Sequence, residues 1–115
     1  MAQRVKYGVI GLGWFGEKHC EALSAIPTVG LWALCTRTES RLKALGKEFG
    51  VARLYTDYRE MLADPELEAV SVVTMWDQHK APAVAALEAG KHVFTEKPMA
   101  STLKDCRAIV KAANA

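Results

Sequence analysis

Short runs of β-branched and apolar residues alternate along the chain with stretches whose apolar positions recur every three or four residues. The first run, Arg4 to Ile10, predicts a strand. It leads into a glycine-rich turn and a helix from Trp14 to Ala25, stopped by Pro27. Leu31 to Cys35 predicts a second strand. Thr38 can cap a second helix with an apolar face of Leu42, Leu45 and Phe49 and an end at Gly50. A short third strand is expected over Ala52 to Tyr55. Asp57 followed by Glu60 resembles a capping box, opening a short helix through Met61 and Leu62. Ala69 to Thr74 is the strongest strand, nearly all apolar or β-branched, as strands covered on both faces are. A fourth helix is expected from His79 to Ala89, with Pro82 in its first turn and Gly90 at its end. Lys91 to Thr95 predicts a fifth strand. Ser101 or Thr102 then caps a last helix with Leu103, Cys106 and Val110 on one face.

Five strands alternating with five helical segments read as successive βα units, and so as a parallel sheet in an α/β fold. The chain has 115 residues, enough for one domain, with no repeat and no low-complexity tract. Hydrophobic residues make up 50% and charged residues 24%, a balance that excludes fibrous and disordered classes. The formal charge of +2 comes from scattered Lys and Arg that mostly lie near Glu or Asp, not from a cluster of the kind nucleic acid requires. The longest uncharged stretch, Ala22 to Thr36, is too short for a membrane span and is broken by Pro27 and Gly30. Arg4 and Lys6 precede an apolar run, as in a signal peptide, but glycines interrupt that run. Glu17 and Lys18 stand where a small-residue cleavage site would be needed. Cys20, Cys35 and Cys106 form no C-x-x-C pair, which argues against a zinc site or a disulfide framework. The expectation is buried thiols in a reducing cytoplasm.

Gly11-Leu12-Gly13-Trp14-Phe15-Gly16 is a G-x-G-x-x-G directly after a predicted strand and opening a predicted helix, the context that gives this spacing meaning. Gly11 permits the tight turn, Gly13 lets a pyrophosphate reach the backbone, and Gly16 lets the helix pack against the strand. The free amides of the first helical turn then face the phosphates. The fold expected is a Rossmann-type doubly wound parallel sheet. The full form has six strands in the order 3-2-1-4-5-6, so the chain stops before the sixth. That would leave the fifth strand as an exposed edge, and the expectation is a piece of a longer protein.

The second strand should end beside the adenosine ribose. An acidic residue there would mark NAD. The sequence has Thr36 and Arg37 instead. Their hydroxyl and guanidinium suit a 2′-phosphate, which favours NADP over NAD. Arg37 could equally be a solvated loop charge or stack on adenine.

From Ala69 the chain reads Ala-Val-Ser-Val-Val-Thr-Met-Trp-Asp-Gln-His, then Ala-Leu-Glu-Ala-Gly-Lys-His-Val, then Thr-Glu-Lys-Pro. With the Gly11–Gly16 turn, this closely resembles the nucleotide-binding domain of the glucose–fructose oxidoreductase / inositol dehydrogenase / MocA family, over essentially the whole chain. The resemblance implies an NAD- or NADP-dependent oxidoreductase acting on the carbinol carbon of a sugar, inositol or related polyol. The expectation, with the thiol, charge and hydropathy readings above, is a cytoplasmic protein that is a homo-oligomer at full length, with neither nucleic acid nor membrane as partner. Lys97 would lie at the active site near nicotinamide and substrate, with Glu96 and Pro98 shaping the turn that presents it. The segment Thr74 to His79 would line the nicotinamide side. Two departures stand out: Met75 occupies the place where most members have Pro, and Trp76 replaces a small polar residue. Members also continue into a second α/β domain that supplies a catalytic His or Asp, so residues 1–115 read as the coenzyme domain alone and as inactive by themselves.

Independently of the resemblance, Lys97 follows the carboxyl end of a predicted parallel strand, where open α/β sheets bind ligands. A lysine there can polarise a substrate oxygen or take part in proton transfer, or it can be a plain loop lysine. His79 could touch the cofactor or could cap and pack. His19 and His92 read as structural. The backbone of Trp14 and Phe15 serves phosphate, and their rings pack or form a lid. The rival to an enzyme is a non-catalytic dinucleotide-sensing or regulatory module, against which the intact Glu96-Lys97-Pro98 argues.

Overall fold

A computed structural model describes residues 4–74, 79–96, 100 and 102–115. Five parallel strands form one sheet: β1 (Val5–Ile10), β2 (Val29–Cys35), β3 (Arg53–Tyr55), β4 (Ala69–Val72) and β5 (His92–Thr95). Their order is β3-β2-β1-β4-β5, the doubly wound order expected from the sequence. The chain begins at the centre with β1, winds outward to β3, then returns across β1 to β4 and β5. The point where the winding reverses therefore lies between β1 and β4.

The helices are α1 (Trp14–Ser24), α2 (Glu39–Phe49), α3 (Tyr58–Leu62), α4 (Lys80–Glu88) and α5 (Leu103–Ala113). Each face of the sheet has its own core. Val9, Leu34 and Val73 pack with Cys20 and Leu23 of α1 and Leu42 and Leu45 of α2. Ile10, Ala33, Val70 and Val72 pack on the other side with Met61 of α3, Ala83 and Ala86 of α4 and Ile109 of α5. All four β4 residues are buried, as a strand covered on both faces requires. Side chains such as Leu34 and Val70, wholly removed from water, each contribute about 1.5–3 kcal/mol through burial.

Local signals explain most boundaries. Gly50 ends α2 in the left-handed region at φ 67°, ψ 34°. The Asp57 carboxylate accepts the Arg59 N–H and starts α3, and the Thr102 hydroxyl accepts the Asp105 N–H and starts α5. Thr38 occupies the cap position of α2 without a side-chain bond. Pro82 falls in the first turn of α4. The second strand begins two residues earlier than its apolar run, because Val29 and Gly30 pair with Val5 and Lys6 of β1. The fourth ends earlier, at Val72, and the chain bends at Thr74.

The face expected for α5 needs correction. Leu103 is 65% exposed and Val110 48%, while Ile109 is buried. The inward stripe passes through Ile109, with Cys106 at its border. Among the described residues no helix is long and apolar enough to cross a membrane.

Candidate functional site

The carboxyl ends of the strands open into a cleft of about 1310 Å³. Its floor is the β1–α1 turn. Ile10, Gly11, Leu12, Gly13, Trp14 and Phe15 all border it. Gly11 sits at φ 96°, a conformation that favours glycine. Its N–H donates to the Cys35 carbonyl at 2.8 Å. A Cβ on Gly11 would lie 2.7 Å from the Val73 carbonyl and the Thr74 nitrogen, so the turn is pressed against the exit of β4. Gly16 is buried and does not border the cleft. A Cβ there would run into the Gly11 carbonyl, so this glycine acts through packing. Gly13 differs from both: nothing lies within 4 Å of where its Cβ would be. That open space faces the cleft and is room for a phosphate to come against the backbone.

Gly13 is also the N-cap of α1. The first helical bond runs from the Glu17 N–H to the Gly13 carbonyl at 3.0 Å. The amides of Trp14, Phe15 and Gly16 precede it, the orphan donors that begin every helix. They lie at the positive end of the helix dipole. These features fit the diphosphate of a dinucleotide. The Trp14 and Phe15 rings meet edge to face at 4.9 Å and are 66% and 57% exposed, so they belong to the rim rather than the core.

One end of the cleft, beyond β2 and β3, is lined by Cys35, Thr36, Arg37 and Thr38, and by Thr56, Asp57, Tyr58 and Arg59. Arg37 is exposed and, among the described residues, has no ion-pair partner. Arg41 is a further member that its sequence neighbourhood does not reveal. Its Nε donates to the Leu12 carbonyl at 2.9 Å and its Nη2 lies 3.1 Å from Glu17 Oε1. It therefore ties α2 to the glycine turn. No motif marks it, because its partners lie on a different βα unit. At the other end lie Thr74, His79 and Glu96. His79 is 2% exposed, and its Nε2 bonds the Thr74 carbonyl at 2.8 Å, holding the chain leaving β4. Glu96 lies against His19, which by its sequence neighbourhood alone reads as structural. Met75, Trp76, Lys97 and Pro98, also expected in the site, lie outside the described residues.

Two thiols are part of this architecture. Burial pushes both Cys20 and Cys35 up to about 12, with Glu17 near the first and Asp57 near the second adding to the effect. An unfolded chain would ionise these thiols near the ordinary value of 9.0. The folded state therefore binds the protons more tightly, and stability holds below pH 9 and falls as pH rises toward 12. We expect urea midpoints to decline over that range. At pH 8, iodoacetamide should label the part-exposed Cys106 first, with Cys20 and Cys35 much slower because burial shields them and keeps them as thiols. Equal labelling of all three in the native chain would contradict this packing.

A family model described as an oxidoreductase family with an NAD-binding Rossmann fold, GFO_IDH_MocA, matches residues 5–115. The chain is 37% identical over 110 residues to D-apiose dehydrogenase of Paraburkholderia graminis, an alignment covering 96% of this chain and 29% of that protein. It is 38% identical over 101 residues to myo-inositol 2-dehydrogenase of Thermotoga maritima, covering 88% of this chain and 30% of that protein. Among solved structures, scyllo-inositol dehydrogenase from Lactobacillus casei with bound NAD(H) and scyllo-inositol superposes with a TM-score of 0.88 at 30% identity. That match covers 97% of this chain and 34% of the other. The chain thus spans about a third of the length of the relatives it matches.

Proposed function

This chain belongs to the Gfo/Idh/MocA oxidoreductase family, and from that premise we propose that it is the coenzyme domain of a two-domain, NAD(P)-dependent dehydrogenase. The reaction is hydride transfer between nicotinamide C4 and a hydroxyl-bearing carbon of a polyol, inositol or sugar. The observation that carries this reading is the open Gly13 face at the floor of the cleft, beside the orphan amides of α1. A bound nicotinamide would supply the hydride chemistry, and the protein supplies position and field.

The residues divide by position along the cleft. The backbone from Gly11 to Phe15 receives the diphosphate, with Gly16 and Arg41 holding that turn in shape. Thr36 and Arg37 receive the adenosine ribose. Thr74, Met75, Trp76, His79 and Glu96 serve the nicotinamide end, followed by Lys97 and Pro98. Lys97 polarises the substrate oxygen or shares in moving its proton. The substrate pocket and the partner acid or base belong to a second domain, so residues 1–115 alone bind dinucleotide weakly and do not turn over. The whole protein is a cytoplasmic homo-oligomer, a location in keeping with three free thiols. The relatives named above are dehydrogenases, which speaks against a sensor.

NADP is the favoured coenzyme. Arg37 and Arg59 border the ribose end, and β2 is followed there by Thr36 and Arg37 rather than by a carboxylate. Calorimetric titration with NADP and NAD, on the chain and on Arg37→Asp, tests this. Loss of a charge-assisted hydrogen bond should weaken NADP by about 10- to 100-fold, while NAD should bind as well or better, because the new carboxylate can accept from the ribose hydroxyls. Unchanged NADP affinity in Arg37→Asp would remove the NADP assignment. Failure of the unaltered chain to bind either dinucleotide would remove the function itself.

A further inference from the structure

We propose that His19 is a positioning residue for the nicotinamide end of the cleft. It acts by fixing the Glu96 carboxylate through a hydrogen-bonded chain that crosses the sheet. This inference rests on the dinucleotide reading above and deepens it by assigning a role to residues outside the glycine turn.

The chain has three links. Tyr7 Oη lies 2.8 Å from Ser71 Oγ, Ser71 Oγ lies 3.1 Å from His19 Nδ1, and His19 Nε2 lies 2.8 Å from Glu96 Oε1. It ties together β1, β4, α1 and the residue following β5. With a neutral imidazole only one direction satisfies every atom. A carboxylate only accepts, so Nε2 carries the proton and donates to Glu96. Nδ1 is then an acceptor and takes the Ser71 O–H. Ser71 in turn accepts the Tyr7 O–H.

Ser71 is the one polar residue in a strand that otherwise reads Ala-Val-Val, and it is 1% exposed. An unsatisfied hydroxyl there would be costly, so the strand's only polar group is matched to this network. Phe94 closes the other side of the imidazole, edge to face at 5.5 Å. The Glu96 backbone is held as well, its N–H donating to the Val72 carbonyl at 3.3 Å.

Glu96 stands on a partition. It borders the main cleft and also a second cavity of about 330 Å³ between α1 and the β4–β5 side of the sheet. The bond to His19 fixes which way the carboxylate points. Without it the carboxylate is not held where it borders the end of the cleft at which the second nucleoside of a dinucleotide would lie. Glu96 also directly precedes Lys97 in the sequence.

A binding experiment isolates this effect from folding and from the adenine end. ADP-ribose, or its 2′-phosphate, carries the adenine half and the diphosphate but no nicotinamide. The ratio of its Kd to that of the matching dinucleotide reads the nicotinamide end alone. His19→Ala should weaken the dinucleotide about tenfold and the ADP-ribose probe less than twofold, collapsing the ratio. His19→Gln restores a donor toward Glu96 and should recover most of the ratio. Glu96→Ala should collapse it similarly, and it keeps the test alive if His19→Ala does not fold. Equal weakening of both probes by His19→Ala and Glu96→Ala, or no recovery in His19→Gln, would mark these residues as merely structural and overturn the proposal. If the unaltered chain binds both probes equally well, this inference alone falls. If it binds neither, the dinucleotide reading falls and takes this one with it.

Discussion

Gly16→Ala is expected to lose about 2 kcal/mol of stability and with it most dinucleotide binding. Gly16 lies in α1, where alanine is ordinarily the better residue by about 1 kcal/mol. At this position the added methyl meets the Gly11 carbonyl, which is backbone and cannot rotate aside. Gly11 cannot yield either. Its φ of 96° is set by the turn, its N–H is bonded to Cys35, and Val73 and Thr74 press on its other side. The helix must therefore back away from the strand, an overpacking cost of about 3 kcal/mol that outweighs the helical preference. Thermal unfolding should fall by roughly 5–10 °C. Because the same displacement moves the amides of Trp14 and Phe15, phosphate affinity should fall with it. A Gly16→Ala chain that melts at or above the parent temperature would show that the helix does not rest on this turn.

What the sequence made legible follows the range of the interactions involved. The β1–α1 turn is written within six consecutive residues, and each glycine's task is local. Gly13 has open space, Gly11 a positive φ and Gly16 a near-contact with its own turn. The same holds for the Gly50 end of α2 and the Asp57 start of α3. The strand order followed because a parallel βα rhythm with this turn admits few windings.

Long-range partners were not legible. Arg41 reads as one more helical charge until α2 is laid beside the glycine turn, 29 residues earlier. His19 and Glu96 are 77 residues apart, and nothing in either neighbourhood names the other. The face of α5 went astray for a different reason. Leu103, Cys106 and Val110 form a good helical stripe, but so do the residues around Ile109. Periodicity finds stripes and does not choose between them. The choice is made by α4, whose Ala83 and Ala86 share a core with Ile109. Small residues of that kind add little to an apolar pattern yet decide how closely two helices approach.

Gly13→Val carries the largest expected change in binding with the smallest disturbance of the fold. Gly13 has φ −74° and ψ −162°, extended backbone open to any residue, and no atom lies within 4 Å of its Cβ position. As an N-cap, valine is poorer than glycine, a cost of about 1 kcal/mol. The variant should therefore fold and melt within roughly 5 °C of the parent. Its isopropyl group would stand where a diphosphate must approach the amides, and affinity should drop by more than about 100-fold. Everything proposed for the cleft depends on that approach. The decisive measurement is calorimetric titration of the parent chain and Gly13→Val with the same dinucleotide. The expected result is binding heat for the parent and none for a folded Gly13→Val, and equal affinity in the two would contradict the account.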